Sequence, residues 1–165
     1  MKVAVFGIGL IGGPVAKDLK ARGFASEVVG VGRSPKNSEL ALQLGLVDRV
    51  VTREEAIADA DLIVLTVPVN ILIDELIFVL DNIQPHQTVT DMGSTKHNML
   101  EAVKDHPIRK RYVASHPMAG TENSGPAAAL SGLFDKKVCI ICDKENSDTD
   151  AVDLVEKMYT TLGMN

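Results

Sequence analysis

KVAVFGIGLIGG, residues 2–13, is an apolar run that passes directly into glycines at G-x-G-x-x-G spacing. Lys2 to Phe6 carries the β-branched pair Val3 and Val5, and its length and composition read as a buried strand. Pro14 to Arg22 follows with Val15, Ala16 and Leu19 on one helical face. Each glycine of the turn answers to a different requirement. Gly7 lets the chain turn sharply out of the strand, Gly9 leaves room for a diphosphate against the backbone, and Gly12 lets the helix pack close to the sheet. The free N–H groups and positive dipole end of that helix suit an anion. The alternative is a glycine turn with a purely structural role. A strand before the glycines and a helix after them favour a dinucleotide site.

Working outward, the chain alternates between the two periodicities. Gly23 is a stop for the first helix. Strands are expected at Ser26 to Gly32, Val47 to Val51, Asp61 to Val67, Gln87 to Thr90, Arg111 to Ser115 and Lys137 to Cys142. Between them, Ser34-Pro35 opens a helix that ends near Leu44-Gly45, and Thr52 with Glu55 forms a capping box. Asn70 to Leu80, Thr95 to Lys104 and Ser147 to Leu162 have helical spacing, and Ser124 to Leu130 is a candidate short helix. Strands alternating with helices at these intervals predict an α/β domain, a doubly wound parallel sheet of Rossmann type, over residues 1–165. In such sheets ligands bind beyond the carboxyl ends of the strands. That rule gathers Gly7 to Gly12, Gly32 to Ser34, Thr66 to Pro68, Asp91 to Lys96 and Ser115 to Gly125 along one edge.

Composition narrows the function classes. The 165 residues carry a formal charge of −5, 45% apolar residues and no tryptophan. An acidic balance argues against nucleic acid, which takes a basic footprint. The one dense basic run, Arg109-Lys110-Arg111, precedes a strand and reads as a solvated strand entrance. Cys139 and Cys142 have C-x-x-C spacing. Residues three apart on a strand face opposite ways, so they read as buried free thiols in a reducing compartment rather than a redox dithiol. No apolar run approaches the ~18 residues of a membrane span. A strand beginning at Lys2 leaves no room for a signal peptide, and the expected location is cytoplasmic. The four histidines lack metal-ligand spacing, and no metal is expected.

Two loops carry the chemistry. NAD sites place Asp or Glu near the end of the second strand, to bind the ribose hydroxyls. Here that position reads Gly32-Arg33-Ser34. Arg33 can stack on adenine or pair with a 2′-phosphate, and Ser34 can donate to that phosphate. This leans towards NADP, with NAD open; the alternative for Arg33 is an exposed charge at a helix start. Ile8, Leu10 and Ile11 in the glycine turn, and Thr66, Val67 and Pro68 after the fourth strand, border the cofactor by position.

The second loop is SHPMAGTENSG, residues 115–125. His116 is held extended by Pro117. An imidazole with an unperturbed pKa near ~6.5 suits removal of a hydroxyl proton while hydride leaves to a nicotinamide. Ser94, at the neighbouring strand exit, can supply a polarising hydrogen bond, or can serve as a helix N-cap. His116 has a structural reading too, as a loop histidine. His86, His97 and His106 read as surface or helix residues.

The chain resembles the prephenate and arogenate dehydrogenases of tyrosine biosynthesis. The resemblance is carried by GIGLIGG at Gly7 to Gly13, DMGSTK at Asp91 to Lys96 and the 115–125 loop, and it extends over essentially all 165 residues. It implies an oxidative decarboxylation that yields 4-hydroxyphenylpyruvate or tyrosine. It further implies that His116 takes the proton of the substrate 4-hydroxyl and that Ser94 orients both. By the same resemblance Thr121 and Glu122 lie near the substrate or gate its entry, and Lys96 matches a family lysine of less defined role. Family members continue into a helical second domain that forms a homodimer and supplies contacts to the substrate carboxylates. The expectation is therefore an amino-terminal domain that turns over substrate poorly alone. The rival readings are another Rossmann dehydrogenase, of the 3-hydroxyacid or 6-phosphogluconate type, and a non-catalytic nucleotide-binding module.

Overall fold

A computed structural model of the chain describes residues 1–119 and 132–165. In chain order the elements are β1 (Lys2–Phe6), α1 (Gly12–Ala21), β2 (Glu27–Val31), α2 (Pro35–Gln43), β3 (Arg49–Val50), α3 (Arg53–Asp59) and β4 (Leu62–Leu65). They continue with α4 (Val69–Asn82), β5 (Thr88–Asp91), α5 (His97–Val103), β6 (Tyr112–Pro117), β7 (Cys139–Cys142) and α6 (Thr149–Thr161). The seven strands form one sheet in the order β3-β2-β1-β4-β5-β6-β7. Crossing from β3 back to β4 around β1 places the topological switch beside the glycine turn, where doubly wound sheets bind their ligands.

Alternation along the strands sends side chains to two separate cores. Val3, Val5, Val28, Leu62, Val64 and Val113 pack with Val15 and Leu19 of α1 and Val155 and Met158 of α6. Ala4, Phe6, Ile63, Leu65, Val89 and Tyr112 pack with Leu72 and Leu76 of α4, and with Met99 of α5. Both faces are buried, which is why β1 and β4 read as continuous apolar runs. Local signals set several ends. The Ser34 hydroxyl accepts from the Asn37 amide (3.3 Å) and caps α2. Thr52 and Glu55 complete the expected capping box of α3.

The structure corrects several readings. β7 runs antiparallel to β6, pairing His116 with Ile140 and Pro117 with Cys139, so the sheet is mostly rather than wholly parallel. His116 is a strand residue near the end of β6, not a loop residue. Asp91 ends β5 and is fully buried, rather than opening a loop. Ser94 does not cap α5; Lys96 occupies that position, without a side-chain cap.

In the basic run only Lys110 is solvated; the two arginines are buried. Arg109 and Arg111 are 6% and 7% exposed. Arg109 donates to the Tyr112 carbonyl (2.7 Å) and pairs with Asp143 (2.5 Å). Arg111 donates to the Gln87 carbonyl (2.9 Å) and to both carboxylate oxygens of Asp150 (2.8 and 2.9 Å). Guanidinium groups can be buried when every donor finds an acceptor. This pair ties the start of β6 to β5, to the exit of β7 and to the first turn of α6. Cys139 and Cys142 are free thiols on opposite faces, as expected, but half-buried rather than buried. His106 is no plain surface residue either: its ring stands 3.1 Å from Asp81 and accepts from the Ile108 amide.

Candidate dinucleotide cleft and active site

At the carboxyl ends of β1, β2 and β4 the chain forms a cleft of about 1140 Å³. Gly7, Ile8, Gly9, Leu10 and Ile11 line its floor, Gly32, Arg33 and Ser34 one wall, and Thr66, Val67 and Pro68 the other. Gly12 lies behind that surface. A Cβ on Gly12 would stand 2.0 Å from the Gly7 carbonyl oxygen and 2.4 Å from Thr66 Oγ1. Gly12 is therefore a packing glycine. Gly7 has φ +97°, so the sharp exit from β1 is left-handed backbone that favours glycine. A Cβ on Gly9 would meet nothing within 4 Å. Nothing in the fold itself demands glycine there.

The start of α1 suits a diphosphate. It has no side-chain cap and no acidic residue in its first turn. The amides of Leu10, Ile11 and Gly12 find no acceptor among the described residues. Uncapped amides at a helix N-terminus, beside a glycine with open space, are the donor set an anion requires. The Thr66 hydroxyl is spent internally. It lies 2.6 Å from the Gly7 carbonyl and 2.9 Å from that of Phe6, locking the glycine turn onto β4.

At the β2 exit, Arg33 is exposed and lines the cleft, and no carboxylate follows Val31 directly. The carboxylates that do line the cleft come from other elements: Glu54 and Glu55 of α3, and Glu75 of α4. Glu55 is engaged by the Thr52 amide (2.9 Å), which holds its carboxyl below the usual glutamate range. Sequence reasoning singled out none of these as site residues. The capping box at Thr52 was a legible sign that α3 starts beside β3, hence at the cleft. Helical spacing from Pro68 through Ile71 to Glu75 could have identified the α4 wall.

The chemistry-bearing residues stand further along the same edge. β4, β5 and β6 are consecutive in the sheet, and neighbouring strands lie about 4.8 Å apart. The exits bearing Thr66, Ser94 and His116 are thus successive. His116 and Ser94 are not among the residues lining the cleft. His116 is half-buried, and its Nδ1 is buried without a hydrogen-bond partner among the described residues. Ser94 is exposed. Thr121, Glu122 and the candidate helix at 124–130 lie outside the described residues.

Beneath these exits lies a polar cluster centred on Asp91, which sequence reasoning passed over. Its carboxylate accepts from the Tyr112 hydroxyl (2.7 Å), the Gly93 amide (2.8 Å) and the Ser115 amide (3.3 Å), and pairs with Lys96. Lys96 is itself only 10% exposed in its side chain. Its charge is committed to Asp91 rather than offered to solvent. Among the described residues no three His, Cys, Asp or Glu side chains cluster as metal ligands would. No helix among them is long and apolar enough to cross a membrane.

Comparison with known proteins agrees with this geometry. The family model for the nucleotide-binding domain of prephenate dehydrogenase matches residues 15–165. The prephenate dehydrogenase of Bacillus subtilis is 30% identical over 161 residues, covering 94% of this chain and 43% of that protein. Among solved structures, Aquifex aeolicus prephenate dehydrogenase, in complex with hydroxyphenyl propionate and NAD+, superposes with a TM-score of 0.91 at 28% identity. That match covers 100% of this chain and 58% of the other. Synechocystis arogenate dehydrogenase gives 0.89 at 28% identity, again covering 100% of this chain and 58% of its own. The chain thus spans about half the length of the curated relatives it matches. With the glycine turn at the switch point, the cleft beside it and the family model running from α1 to the last residue, the chain belongs to the prephenate dehydrogenase family, in the part that forms its nucleotide-binding domain.

Proposed function

We propose that this chain is the cofactor-binding half of an enzyme that oxidatively decarboxylates prephenate or arogenate. The observation that carries the reading is the placement of His116. It is the penultimate residue of a strand two places along the sheet edge from the cleft wall at Thr66, and one of its ring nitrogens is buried without a partner among the described residues. Bound in the cleft, a nicotinamide dinucleotide accepts hydride from the carbon bearing the substrate 4-hydroxyl. The amides at the start of α1 hold the diphosphate, and Gly9 admits it to the backbone. His116 takes the hydroxyl proton as that carbon becomes a carbonyl. The ring carboxylate then leaves as carbon dioxide, and its bonding pair completes the aromatic ring. Ser94, exposed at the β5 exit, orients the hydroxyl and the imidazole. Thr121 and Glu122 border the substrate.

The substrate side chain and its carboxylates are met by the part of the relatives that this chain does not span. A helical, dimer-forming second domain there completes the active site. The domain organisation, 1–165 for cofactor and a further domain for substrate, follows from that reading, as does low turnover by the 165 residues alone. NADP is favoured over NAD. Arg33 stands exposed in the cleft where a ribose-binding acid would be, and the Ser34 hydroxyl accepts from Asn37 but keeps its hydrogen for a phosphate. The NAD+ held by the Aquifex relative keeps NAD as the second cofactor.

The test uses a chain long enough to include the second domain, assayed with both substrates. His116→Asn should lower kcat by about 10²–10⁴-fold while the affinity for NADPH changes less than two-fold (about 0.4 kcal/mol). Arg33→Asp should weaken NADP by about ten-fold and leave NAD nearly unchanged. Full activity of His116→Asn would instead favour the 3-hydroxyacid or 6-phosphogluconate type of chemistry. Cofactor binding without turnover by the unaltered protein would favour a nucleotide-binding module.

A further inference from the structure

Among the described residues, two buried side-chain polar atoms have no hydrogen-bond partner: Nδ1 of His116 and Oε2 of Glu75. Such atoms are rare because an unmet buried acceptor keeps its full desolvation cost, and a charged one costs most. His116 belongs to the proposed reaction centre. Glu75 stands elsewhere, in the wall of the dinucleotide cleft.

Glu75 lies midway along α4, with its side chain 12% exposed. Only its other oxygen, Oε1, is engaged, 3.5 Å from Nη1 of Arg53. Arg53 in turn lies over the Phe78 ring, its guanidinium carbon 3.9 Å from the centroid. The arginine is thereby fixed to α4, and half of the carboxylate is left over. Around it the cleft is lined by Val50, Val51, Pro68 and Ile71, apolar groups from β3, its exit, the N-cap of α4 and the first turn of α4.

This end of the cleft has a definite position relative to a dinucleotide. With the diphosphate at α1 and a ribose at Arg33, the chain of the cofactor continues beyond the β2 exit. β3 is the next strand on that side. Apolar walls suit the faces of a purine. A carboxylate is an acceptor only, and the hydrogen-bond donor that adenine carries on its edge is the 6-amino group. Rotation about the last torsion of a glutamate is nearly two-fold, so either oxygen can be turned to a ligand.

We propose that Glu75 reads the adenine base by accepting a hydrogen bond from its 6-amino group. The assignment rests on the dinucleotide reading of the cleft and adds a specificity-determining residue to it. A base with an oxo group at that position sets oxygen against oxygen. Sites built around a hydrogen-bonding partner reject analogues that lack it.

The test titrates the chain, Glu75→Ala and Glu75→Gln with NADH and with reduced nicotinamide hypoxanthine dinucleotide. Nicotinamide fluorescence reports binding, and circular dichroism melts report folding. The unaltered chain should bind NADH at least about ten-fold more tightly than the hypoxanthine analogue. Glu75→Ala should lose that preference, mainly by weakening NADH. Glu75→Gln, isosteric and able to donate to the oxo group, should shift the preference towards hypoxanthine. If the alanine variant fails to fold, the glutamine variant decides. Equal affinities in the unaltered chain, or variants that weaken both cofactors alike, would overturn the role of Glu75 and leave the cleft reading standing. Binding of neither cofactor, nor of NADPH, by the folded, unaltered chain would overturn both.

Discussion

Gly9 and Gly12 sit three residues apart in one motif and answer to different forces. The space around each, rather than the spacing they share, separates those roles. A methyl on Gly12 collides with the Gly7 carbonyl and the Thr66 hydroxyl, and neither can retreat because each holds the other. A methyl on Gly9 meets open space in the protein alone. Gly12→Ala should therefore destabilise the fold by about 3 kcal/mol, measured by urea unfolding. Gly9→Ala should fold within about 0.5 kcal/mol of the unaltered chain yet bind NADH at least ten-fold (about 1.4 kcal/mol) more weakly. An unchanged affinity in Gly9→Ala would remove the diphosphate from this turn. Other residues were less legible. His116 could be named because Pro117 and its polar neighbours mark it locally. Glu75 could not, because what distinguishes it is an absent partner, and only packing reveals that. Asp91 was passed over for the same reason: its role is set by Tyr112, Ser115 and Lys96, which arrive from other parts of the chain.

At the scale of elements, the parallel core was open to sequence reading because local and global signals agree there. β1, β2 and β4 are apolar on both faces, and each is followed by a helix start with its own chemistry: glycines for α1, Ser34-Pro35 for α2, Pro68 for α4. β1 kept its limits, and the other strand limits shifted by at most two residues, as expected where hydrophobic pattern outruns ladder hydrogen bonds. β7 defeated the same method. Its apolar run is compatible with either direction, and residues 118–138 are long enough for a crossover. Direction is a property of the pairing, in which His116 faces Ile140. The Arg109–Arg111 run failed for a related reason. Charge density in sequence reads as solvent exposure, whereas Asp143, Asp148 and Asp150 return more than thirty residues later to neutralise it. Arg111 holds the Asp150 carboxyl below its ordinary range, which marks the contact as an ionised pair.

At the scale of the whole molecule, α6 and the last three strands are joined by protonated groups, and this sets how the chain should respond to alkali. Ser115 donates to the Asp91 carbonyl (2.6 Å) and meets the Tyr159 hydroxyl of α6 (2.6 Å). Burial pushes the Tyr159 hydroxyl well above its ordinary 10.0, reinforced by the nearby Cys139 and Asp91. Burial likewise raises Tyr112, with the Asp91 carboxylate adding to it. Burial pushes the Cys139 thiol from 9.0 up to about 11, against lowering influences from Tyr159, the His116 backbone and Lys96. In each case the folded state keeps a proton that the unfolded chain gives up first. Stability from these groups is complete below about pH 9 and is lost as pH rises, because the unfolded state then binds fewer protons. The loss begins with Cys139 between 9 and 11 and steepens above 10 as the two tyrosines join. Lys2 and Lys104, raised by Asp59 and Glu101, push the same way above 10.5. Thermal melts should therefore be level from pH 7.5 to 8.5 and fall by roughly 3–5 °C by pH 10. Cys139→Ala should delay the onset by about one pH unit, since it leaves only the tyrosines and lysines to titrate. A melting temperature level to pH 10.5 would mean that these side chains reach solvent freely, and that α6 is not closed over β5 and β6 in solution.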